Sequence, residues 1–316
     1  MESMPTAGTC RTNRVRSDRA AHSGSSRAGR GRSVPPVWLL LASVLAVLPA
    51  SGAVRATSTP PQESAQDQPA GAAPAAEAGE SEQDELSRRA TDPTASPPSL
   101  ALINDWTTSY RDLAGGTPVE GTGYQLRFQP VVPFQAWGQP NILRMTVPYQ
   151  VSGPAPEGLG DVTIFDLVIV PRSWGRLGIG AVATLVQAEK EAEGHIVAGP
   201  AIGFVAPLSK KLNLGLFNQN LFGDGVSISQ LQPIAAYQLG SGWSLSLGDL
   251  QWPYDWDRGE FVSMPVGLQI GKVQPVAGQP MRFSLNPQYD FKDLPGAGRF
   301  KVSFTIQLIL PEGKKP

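Results

Sequence analysis

The chain has 316 residues, of which 34 are glycine and 30 are proline, and this large share disfavours long regular helices over most of its length. The formal net charge of −1 hides an uneven distribution, because residues 57–316 contain 18 basic and 25 acidic residues. An acidic main part argues against nucleic-acid binding. The one cysteine, Cys10, lies in the basic N-terminal stretch, so residues 57–316 offer no thiol for a disulfide, a nucleophile or a metal site.

An apolar run near the N-terminus predicts export. Val37 to Leu48 reads VWLLLASVLAVL, which is twelve residues without a charge, and it follows a basic stretch that ends at Arg32. Small residues occupy positions 49–53 directly after it. These are the three parts of a secretory signal, so we predict a signal peptide region over residues 1–56. The alternative is a membrane anchor, although a helix needs about 20 apolar residues to cross a bilayer.

Residues 57–99 differ from the rest of the chain in composition. They are rich in Pro, Ala, Gln, Glu and Ser, and up to position 98 Leu86 is the one aliphatic residue larger than alanine. Such a segment buries too little apolar surface to offset the entropy of ordering, which predicts a disordered linker. Within it, Glu80–Ala90 has the composition of a short helix, and the pair Asp92-Pro93 would end that helix.

From Leu100 onward, apolar and polar residues alternate with a period of two, which is typical of half-buried strands. Leu126 and Phe128, for example, alternate with Gln125, Arg127 and Gln129. Most candidate strands have ten to thirteen residues. Globular strands usually have about 5–6 residues, whereas a tilted strand that crosses a membrane needs about 9–11. The twelve candidates are 100–111, 122–132, 141–151, 161–170, 175–187, 195–206, 211–220, 226–239, 243–252, 260–272, 281–291 and 299–310.

The connections between these strands differ in a regular way. Those after the second, fourth, sixth and eighth strands are mostly tight, whereas those after the odd strands are more charged or richer in glycine. Bacterial outer-membrane barrels have short periplasmic turns, longer external loops and an even number of strands. The predicted fold class is therefore all-β: an antiparallel transmembrane β-barrel of about twelve strands over residues 100–311, preceded by the disordered linker.

The polar face of these strands has two interpretations. In a soluble β-protein it is a solvated surface, whereas in a membrane barrel it lines the lumen, because an Arg that faces lipid costs about 2–4 kcal/mol near mid-bilayer. The strand length and the signal region favour the membrane barrel. The residues then predicted to line the lumen are Gln125, Arg127, Gln129, Arg144, Gln269, Arg282, Asn286, Gln288 and Gln307.

Aromatic residues near the predicted strand ends fit the same interpretation. Amphipathic rings favour the headgroup level of a bilayer, where they form a girdle. The alternatives are the core of a soluble sandwich or a sugar-binding site. The aromatic residues concerned are Trp106, Tyr110, Trp137, Tyr149, Trp174, Tyr237, Trp243, Trp252, Tyr254 and Trp256.

Several segments together resemble a known group, the bacterial outer-membrane proteins of the meta-pathway phenol-degradation family. The similarity covers about Leu86 to Pro311, and it implies an outer-membrane β-barrel with a role in transport. It implies no catalytic or solute-binding residues and does not select a phenol. The segments are GQPNILRMTVPYQ, GLGDVTIFDLVIV, WGRLGIGA, GLFNQNLF, QPIAAYQLGSGWSLSL and YDW.

Catalytic, cofactor and metal sites are not indicated by the sequence. His195 is the one histidine of residues 57–316, no serine lies in a G-x-S-x-G sequence, and no phosphate-binding loop is present. Asp255, Asp257 and Glu260 are close together, but their spacing lacks the EF-hand pattern and is that of a solvated loop. We therefore expect no catalytic residues, no cofactor and no metal.

The function that these features favour is an outer-membrane channel for passive passage of small solutes, including aromatic or hydrophobic ones. Its expected partners are outer-membrane lipid and a small-molecule solute, with no nucleic acid. The main alternative is a structural or ligand-binding barrel without a continuous pore. A barrel enzyme and a secreted soluble β-protein stay as further alternatives, and a homo-oligomer stays open.

Overall fold

A computed structural model describes residues 75–187, 194–223 and 225–312. The predicted signal region 1–56 and residues 57–74 of the predicted linker lie outside the described residues. The described residues form one helix and sixteen strands. The helix α1 is Ala75–Ala90, and the strands are β1 Ser99–Tyr110, β2 Gly123–Ala136, β3 Gln139–Ser152, β4 Gly158–Leu159, β5 Val162–Arg172, β6 Gly175–Val186, β7 His195–Pro207, β8 Leu212–Gly223, β9 Val226–Gly240, β10 Trp243–Ser246, β11 Trp252–Asp255, β12 Glu260–Phe261, β13 Pro265–Gly267, β14 Gln269–Val276, β15 Gln279–Asp290 and β16 Gly298–Ile309.

The strands form one closed antiparallel barrel. β16 pairs with β1, and from there the order follows the chain to β9. β9 pairs with both β10 and β11, and β10 pairs with β14, which leads back through β15 to β16. The short strands share a position with a neighbour: β4 with β5, β10 with β11, and β12 and β13 with β14. The barrel therefore has twelve strand positions, and the predicted antiparallel barrel of about twelve strands is confirmed.

Tight turns close one end of the barrel, here called the turn end. Two-residue turns join β2 to β3 and β5 to β6, and others join β9 to β10 and β14 to β15. Three of them are X-Gly pairs in which both residues have positive φ, for example Trp137 at 50° and Gly138 at 72°. This geometry matches the right-handed twist of paired strands and favours glycine at the second position. The short connections after the even-numbered segments therefore meet at one end.

The opposite end, here called the loop end, contains the longer connections. Residues 111–122 join β1 to β2, and residues 291–297 join β15 to β16. Arg111 Nη1 donates a hydrogen bond to Asp293 Oδ1 at 2.8 Å, so these two loops contact each other.

The interior of the barrel has two different walls, and the sequence analysis predicted polar lining residues without predicting the second, apolar wall. On β14 to β16 and on β1 the inward side chains are mostly polar, and Arg282, Ser284 and Asn286 are buried. On β5 to β8 the inward side chains are mostly apolar, with Gln219 among the polar exceptions, and Leu167 and Phe217 are almost fully buried. A narrow barrel is filled by its own side chains, so an apolar wall packs as a core does.

The outward side chains are apolar on most strands, and many of them are exposed. Leu102 of β1, Ile164 of β5 and Ile202 of β7 are among the large hydrophobic residues on this surface. Aromatic residues lie at both ends of the barrel. Trp106 stacks on Tyr124 toward the loop end, with ring centroids 5.4 Å apart, while Trp137, Trp174 and Trp243 lie in or beside turns.

The part of the predicted linker that the structure describes, residues 75–98, contains one helix and contacts the barrel. α1 includes the predicted helix Glu80–Ala90 and begins five residues earlier. It contacts β9, β10 and β14, and Asp84 accepts a hydrogen bond from the Gly242 amide at 2.5 Å. Ser87 and Asp92 are buried. The turn end of the barrel therefore supplies contacts that the sequence of this segment lacks within itself.

Two predicted strands are interrupted. The predicted strand 243–252 leaves the sheet at residues 247–251, and the predicted strand 260–272 is divided into β12, β13 and β14. The first interruption has a steric cause, because Gly248 adopts φ +70° and approaches β15 closely. This inward excursion brings Asp249 into the barrel.

Candidate functional site

Seven of the nine residues predicted to line the lumen border cavities inside the barrel. Near the loop end, Gln125 borders a cavity of about 250 Å³ and Gln288 borders one of about 320 Å³. A third cavity, of about 120 Å³ and here called the inner cavity, lies near the turn end. It is bordered by Gln129, Arg144, Gln269, Arg282 and Gln307.

Between the two cavity levels lies a group of four charged residues, here called the ion cluster: Asp105, Arg127, Arg144 and Asp249. Arg127 donates to both carboxylate oxygens of Asp105, from Nε at 2.5 Å and from Nη2 at 3.3 Å. Its Nη1 is 3.5 Å from Asp249 Oδ2, and Arg144 Nη2 is 3.7 Å from Asp249 Oδ1. The two guanidinium groups thus share one carboxylate across the interior.

Register places three members of the ion cluster on one side of the barrel. Arg127 of β2 lies opposite Ile103 of β1, so it reaches Asp105, two residues further along β1, as a diagonal neighbour. Arg144 of β3 lies opposite Phe165 of β5, and its Cζ is 4.6 Å from the centroid of that ring. This cation–π contact holds the Arg144 guanidinium at the border between the polar and apolar walls.

Asp249, the fourth member, comes from the interruption between β10 and β11. A Cβ at position 248 would lie 2.2 Å from Asn286 Nδ2, so glycine permits an approach that no other residue does. Asn286 donates to the Leu247 carbonyl at 3.5 Å, and Gln232 donates to Asp249 Oδ1 at 2.9 Å. The predicted lining residue Asn286 therefore supports the loop that holds Asp249, and it is 1% exposed.

Arg282 is a buried interior charge whose acceptor is a neutral amide. Its side chain is 5% exposed, and Nη2 donates to Gln269 Oε1 at 2.9 Å. Ser246 donates to the same Gln269 oxygen at 3.0 Å. Nε of Arg282 is buried without a hydrogen-bond partner. Over residues 75–187, 194–223 and 225–312, Arg282 forms no ion pair.

Lys301 adds a further positive charge between the ion cluster and the loop end. It lies on the inward side of β16 and borders both loop-end cavities. Asp105 borders one of these cavities as well and accepts a hydrogen bond from Ser303. Arg127, Arg144, Arg282 and Lys301 therefore outnumber the carboxylates of this part of the interior, which are Asp105, Asp249 and Asp290 at one loop-end cavity.

Residues 91–98, here called the plug segment, lie at the inner cavity, near the turn end of the barrel. Thr91, Pro93 and Ser96 border that cavity. The Asp92 side chain is fully buried and accepts hydrogen bonds from the Thr94 amide at 2.8 Å, from Thr94 Oγ1 at 2.7 Å and from Arg176 Nη2. The plug segment is thus attached to β6 by a charged hydrogen bond at the turn end.

Further contacts hold α1 and the plug segment in place. Gln238 of β9 donates to Thr91 Oγ1 at 3.3 Å, and Arg89 pairs with Glu312, which follows the last strand. On the exposed side of α1, Arg88 donates to Glu85 at 2.9 and 2.6 Å, and this contact raises the pKa of Arg88. The segment is therefore anchored by several separate contacts.

The sequence analysis missed Asp105, Asp249, Lys301 and Gln232 as interior residues. Asp105 and Lys301 have the same strand parity as inward residues, so alternation alone could have identified them. Asp249 gave no such signal, because continuing β10 without a break would place it on the outward face. His195 is the first residue of β7, and the predicted strand 195–206 begins at the same residue.

No protein-family model matches the chain, and a search of curated proteins finds no relative. The chain is similar to an outer membrane channel from Pseudomonas putida F1, with 13% identity over 68% of this chain and 96% of that chain and a TM-score of 0.46. It is also similar to the KdgM porin in complex with disordered oligogalacturonate, with 9% identity, coverages of 67% and 99% and a TM-score of 0.44. A third similar structure is outer membrane phospholipase A from Escherichia coli, with 9% identity, coverages of 72% and 97% and a TM-score of 0.42.

Among the helices that the structure describes, none is long and apolar enough to cross a membrane. In the same part of the chain, no group of three or more His, Cys, Asp or Glu side chains could hold a metal ion.

Proposed function

We propose that the barrel spans the bacterial outer membrane as a narrow channel for the passive passage of small solutes. The observation that carries the proposal is the contrast between its two surfaces. Exposed apolar side chains cover the outward face, while charged and amide side chains surround cavities inside. A lipid environment favours this inside-out arrangement, because a polar group in hydrocarbon loses its hydrogen bonds to water.

The lining of the inner cavity supports a finer proposal about the solute. Apolar side chains such as Ile103 and Ile234 border it together with guanidinium and amide groups, which suits molecules with an apolar body and a polar group. The excess of positive over negative charge in this path favours anions weakly. Passage is passive, since the sequence contains no phosphate-binding loop that would couple it to nucleotide hydrolysis.

Two features make the path narrow in the arrangement described here. The ion cluster crosses the interior, and the plug segment borders the inner cavity near the turn end. Flux therefore requires displacement of the plug segment, and conductance is expected to be well below that of an open porin. We propose that the nine residues predicted from the sequence to line the lumen lie along this path, with Arg127 and Arg144 at its constriction.

The same two features favour a second candidate function, a structural or ligand-binding barrel without a continuous pore. Mutually paired Arg and Asp side chains across the interior are what such a barrel would contain. The two functions differ in solute flux. The protein is expected to have no enzymatic activity, and its oligomeric state stays open.

Flux into vesicles that contain the folded protein tests the proposal. A gel shift between unboiled and boiled samples of the detergent-extracted membrane fraction first establishes a folded membrane barrel. Liposome swelling then compares small solutes with larger ones, and we expect entry of the small ones alone. A folded barrel that admits neither supports the barrel without a pore, and recovery of the protein in the soluble fraction overturns the membrane placement.

A further inference from the structure

We infer that the inner cavity is a binding site for a small aliphatic monocarboxylate, with Arg282 and Arg144 receiving the carboxylate. The inference rests on the proposed function, because a solute path has to reach the cavity, and it names the substrate class of that path. Three properties of the cavity carry it: an uncompensated guanidinium, an excess of positive charge and an apolar side of limited volume.

The uncompensated guanidinium is that of Arg282. It is buried, its Nη2 has a neutral amide oxygen as acceptor, and its Nε has no partner. A buried charge without a counterion costs several kcal/mol in a protein interior. A bound carboxylate would supply both the missing charge and the missing acceptor, because a carboxylate accepts two parallel hydrogen bonds from the guanidinium fork.

Arg144 provides a second donor on the border of the same cavity. Within the described part of the chain, its Nε is also buried without a partner, and its one ion pair there is the long contact of 3.7 Å to Asp249. Asp249 is shared with Arg127, which has Asp105 as its own close partner. The shared carboxylate therefore leaves Arg144 incompletely neutralised, and the positive charge of the cavity exceeds the negative charge.

The apolar side of the cavity favours an organic acid over an inorganic anion. Ala101, Ile103, Val131 and Ile234 border it next to the polar groups, and Val131 lies directly across from Arg144 in the sheet. The volume is about 120 Å³. An apolar cavity of about 150 Å³ holds one benzene molecule, so the inner cavity suits a body smaller than an aromatic ring, such as a chain of about four carbons. Inorganic phosphate or chloride would leave the apolar side without a contact.

Calorimetric titration of the full chain, folded in detergent micelles and checked by its gel shift, tests the site. The probes are butyrate, its neutral isostere butyramide and inorganic phosphate. We expect saturable binding of butyrate that weakens as salt is added, at least tenfold weaker binding of butyramide, and no displacement of butyrate by an equal concentration of phosphate.

Variants connect the binding to the proposed residues. Arg282→Gln removes the unpaired charge and keeps a polar group, so it relieves a burial cost and we expect it to fold. Its affinity for butyrate is expected to fall at least tenfold, whereas Arg282→Lys restores part of it as a point charge. The matched control is Arg299→Gln, which removes an exposed arginine at the loop end and is expected to leave butyrate affinity unchanged.

Three results would overturn the inference: no butyrate binding by the folded chain, equal binding of butyramide or phosphate, or unchanged affinity in Arg282→Gln. These results differ from a failure of the proposed function. A protein that passes small neutral solutes but does not bind butyrate is a channel without this site. A protein that binds butyrate but passes no solute has the site in a barrel without a pore.

Discussion

Release of the plug segment is the prediction that the structure specifies in most detail. The perturbation is Asp92→Ala, which removes the carboxylate that attaches the segment to β6. The Asp92 side chain is fully buried and accepts three hydrogen bonds, one of them from Arg176. Hydrogen bonds to a charged group contribute about 1.5–3 kcal/mol. The Arg176 side chain is 26% exposed and regains water, so we expect a loss at the middle of that range, about 2 kcal/mol.

A loss of this size changes the gating equilibrium by a measurable factor. If the attachment holds the plug segment closed, about 2 kcal/mol raises the ratio of open to closed barrels roughly 30-fold. The assay is single-channel recording in planar bilayers, with open probability as the readout and the gel shift as the check on folding. The remaining anchors limit the rise: Arg176 Nε still donates to Thr94 Oγ1 at 3.1 Å, and Asp84 on Gly242, Thr91 on Gln238 and Arg89 on Glu312 are unchanged.

The matched control is Glu85→Gln, which removes an ion pair from the same N-terminal region on the exposed side of α1. The Arg88–Glu85 side chains are 29% and 51% exposed, so the pair contributes about 0.5 kcal/mol or less. We expect open probability to change less than about threefold in this variant. A folded Asp92→Ala protein with the open probability of the parent would refute the reasoning, as would an equal effect of the control.

Further predictions concern the interior and the outward face. Asp249→Asn leaves two guanidinium groups without their shared carboxylate and is expected to lower the free energy of unfolding by about 3 kcal/mol, seen as a lower midpoint temperature of the gel shift. Gly248→Ala places a Cβ against Asn286 at a positive φ and should reduce the folded fraction. The control Gly259→Ala, at φ +69° with no neighbour within 4 Å, should reduce it less. Equal losses of folded protein would contradict the steric argument. Asp166→Leu replaces an outward carboxylate that has an unpartnered buried oxygen and lies between inward Phe165 and Leu167. If the outward face contacts lipid, the midpoint temperature of the gel shift should rise, corresponding to a gain of about 1–2 kcal/mol in the free energy of unfolding. A lower midpoint temperature would indicate that this face is solvated.

The number and positions of the strands could be predicted because the period of two depends on neighbours along the chain alone. Leu126 and Phe128 alternate with Gln125 and Arg127 in the sequence and on opposite faces of β2. The turns could be predicted for the same local reason, since pairs such as Ser241-Gly242 favour positive φ. These features need no knowledge of which strands meet when the barrel closes.

The apolar wall could not be predicted from the same pattern. In β5, Phe165 and Leu167 face inward while Ile164 and Val168 face outward, and all four are apolar. A run that is apolar on both faces does not indicate which face is inside. The answer depends on register with β3, where Phe165 lies opposite Arg144.

The ion cluster could not be predicted from the sequence, because it depends on closure of the barrel and on the interruption between β10 and β11. Arg127 and Asp105 lie on neighbouring strands, and their pairing follows from register. Asp249 joins them because the chain turns inward at Gly248. The contacts of residues 75–98 could not be predicted for a similar reason, because the ion pair between buried Asp92 and Arg176 of β6 joins residues that are far apart in the sequence.

Single-channel recording on the unmodified protein tests the central claim most directly. The protein is extracted in detergent, shown to be folded by its gel shift, and added to one side of a planar bilayer. We expect discrete openings with a conductance well below that of a general porin and a weak preference for anions. Absence of any conductance with demonstrably folded protein would contradict the claim that the barrel is a channel.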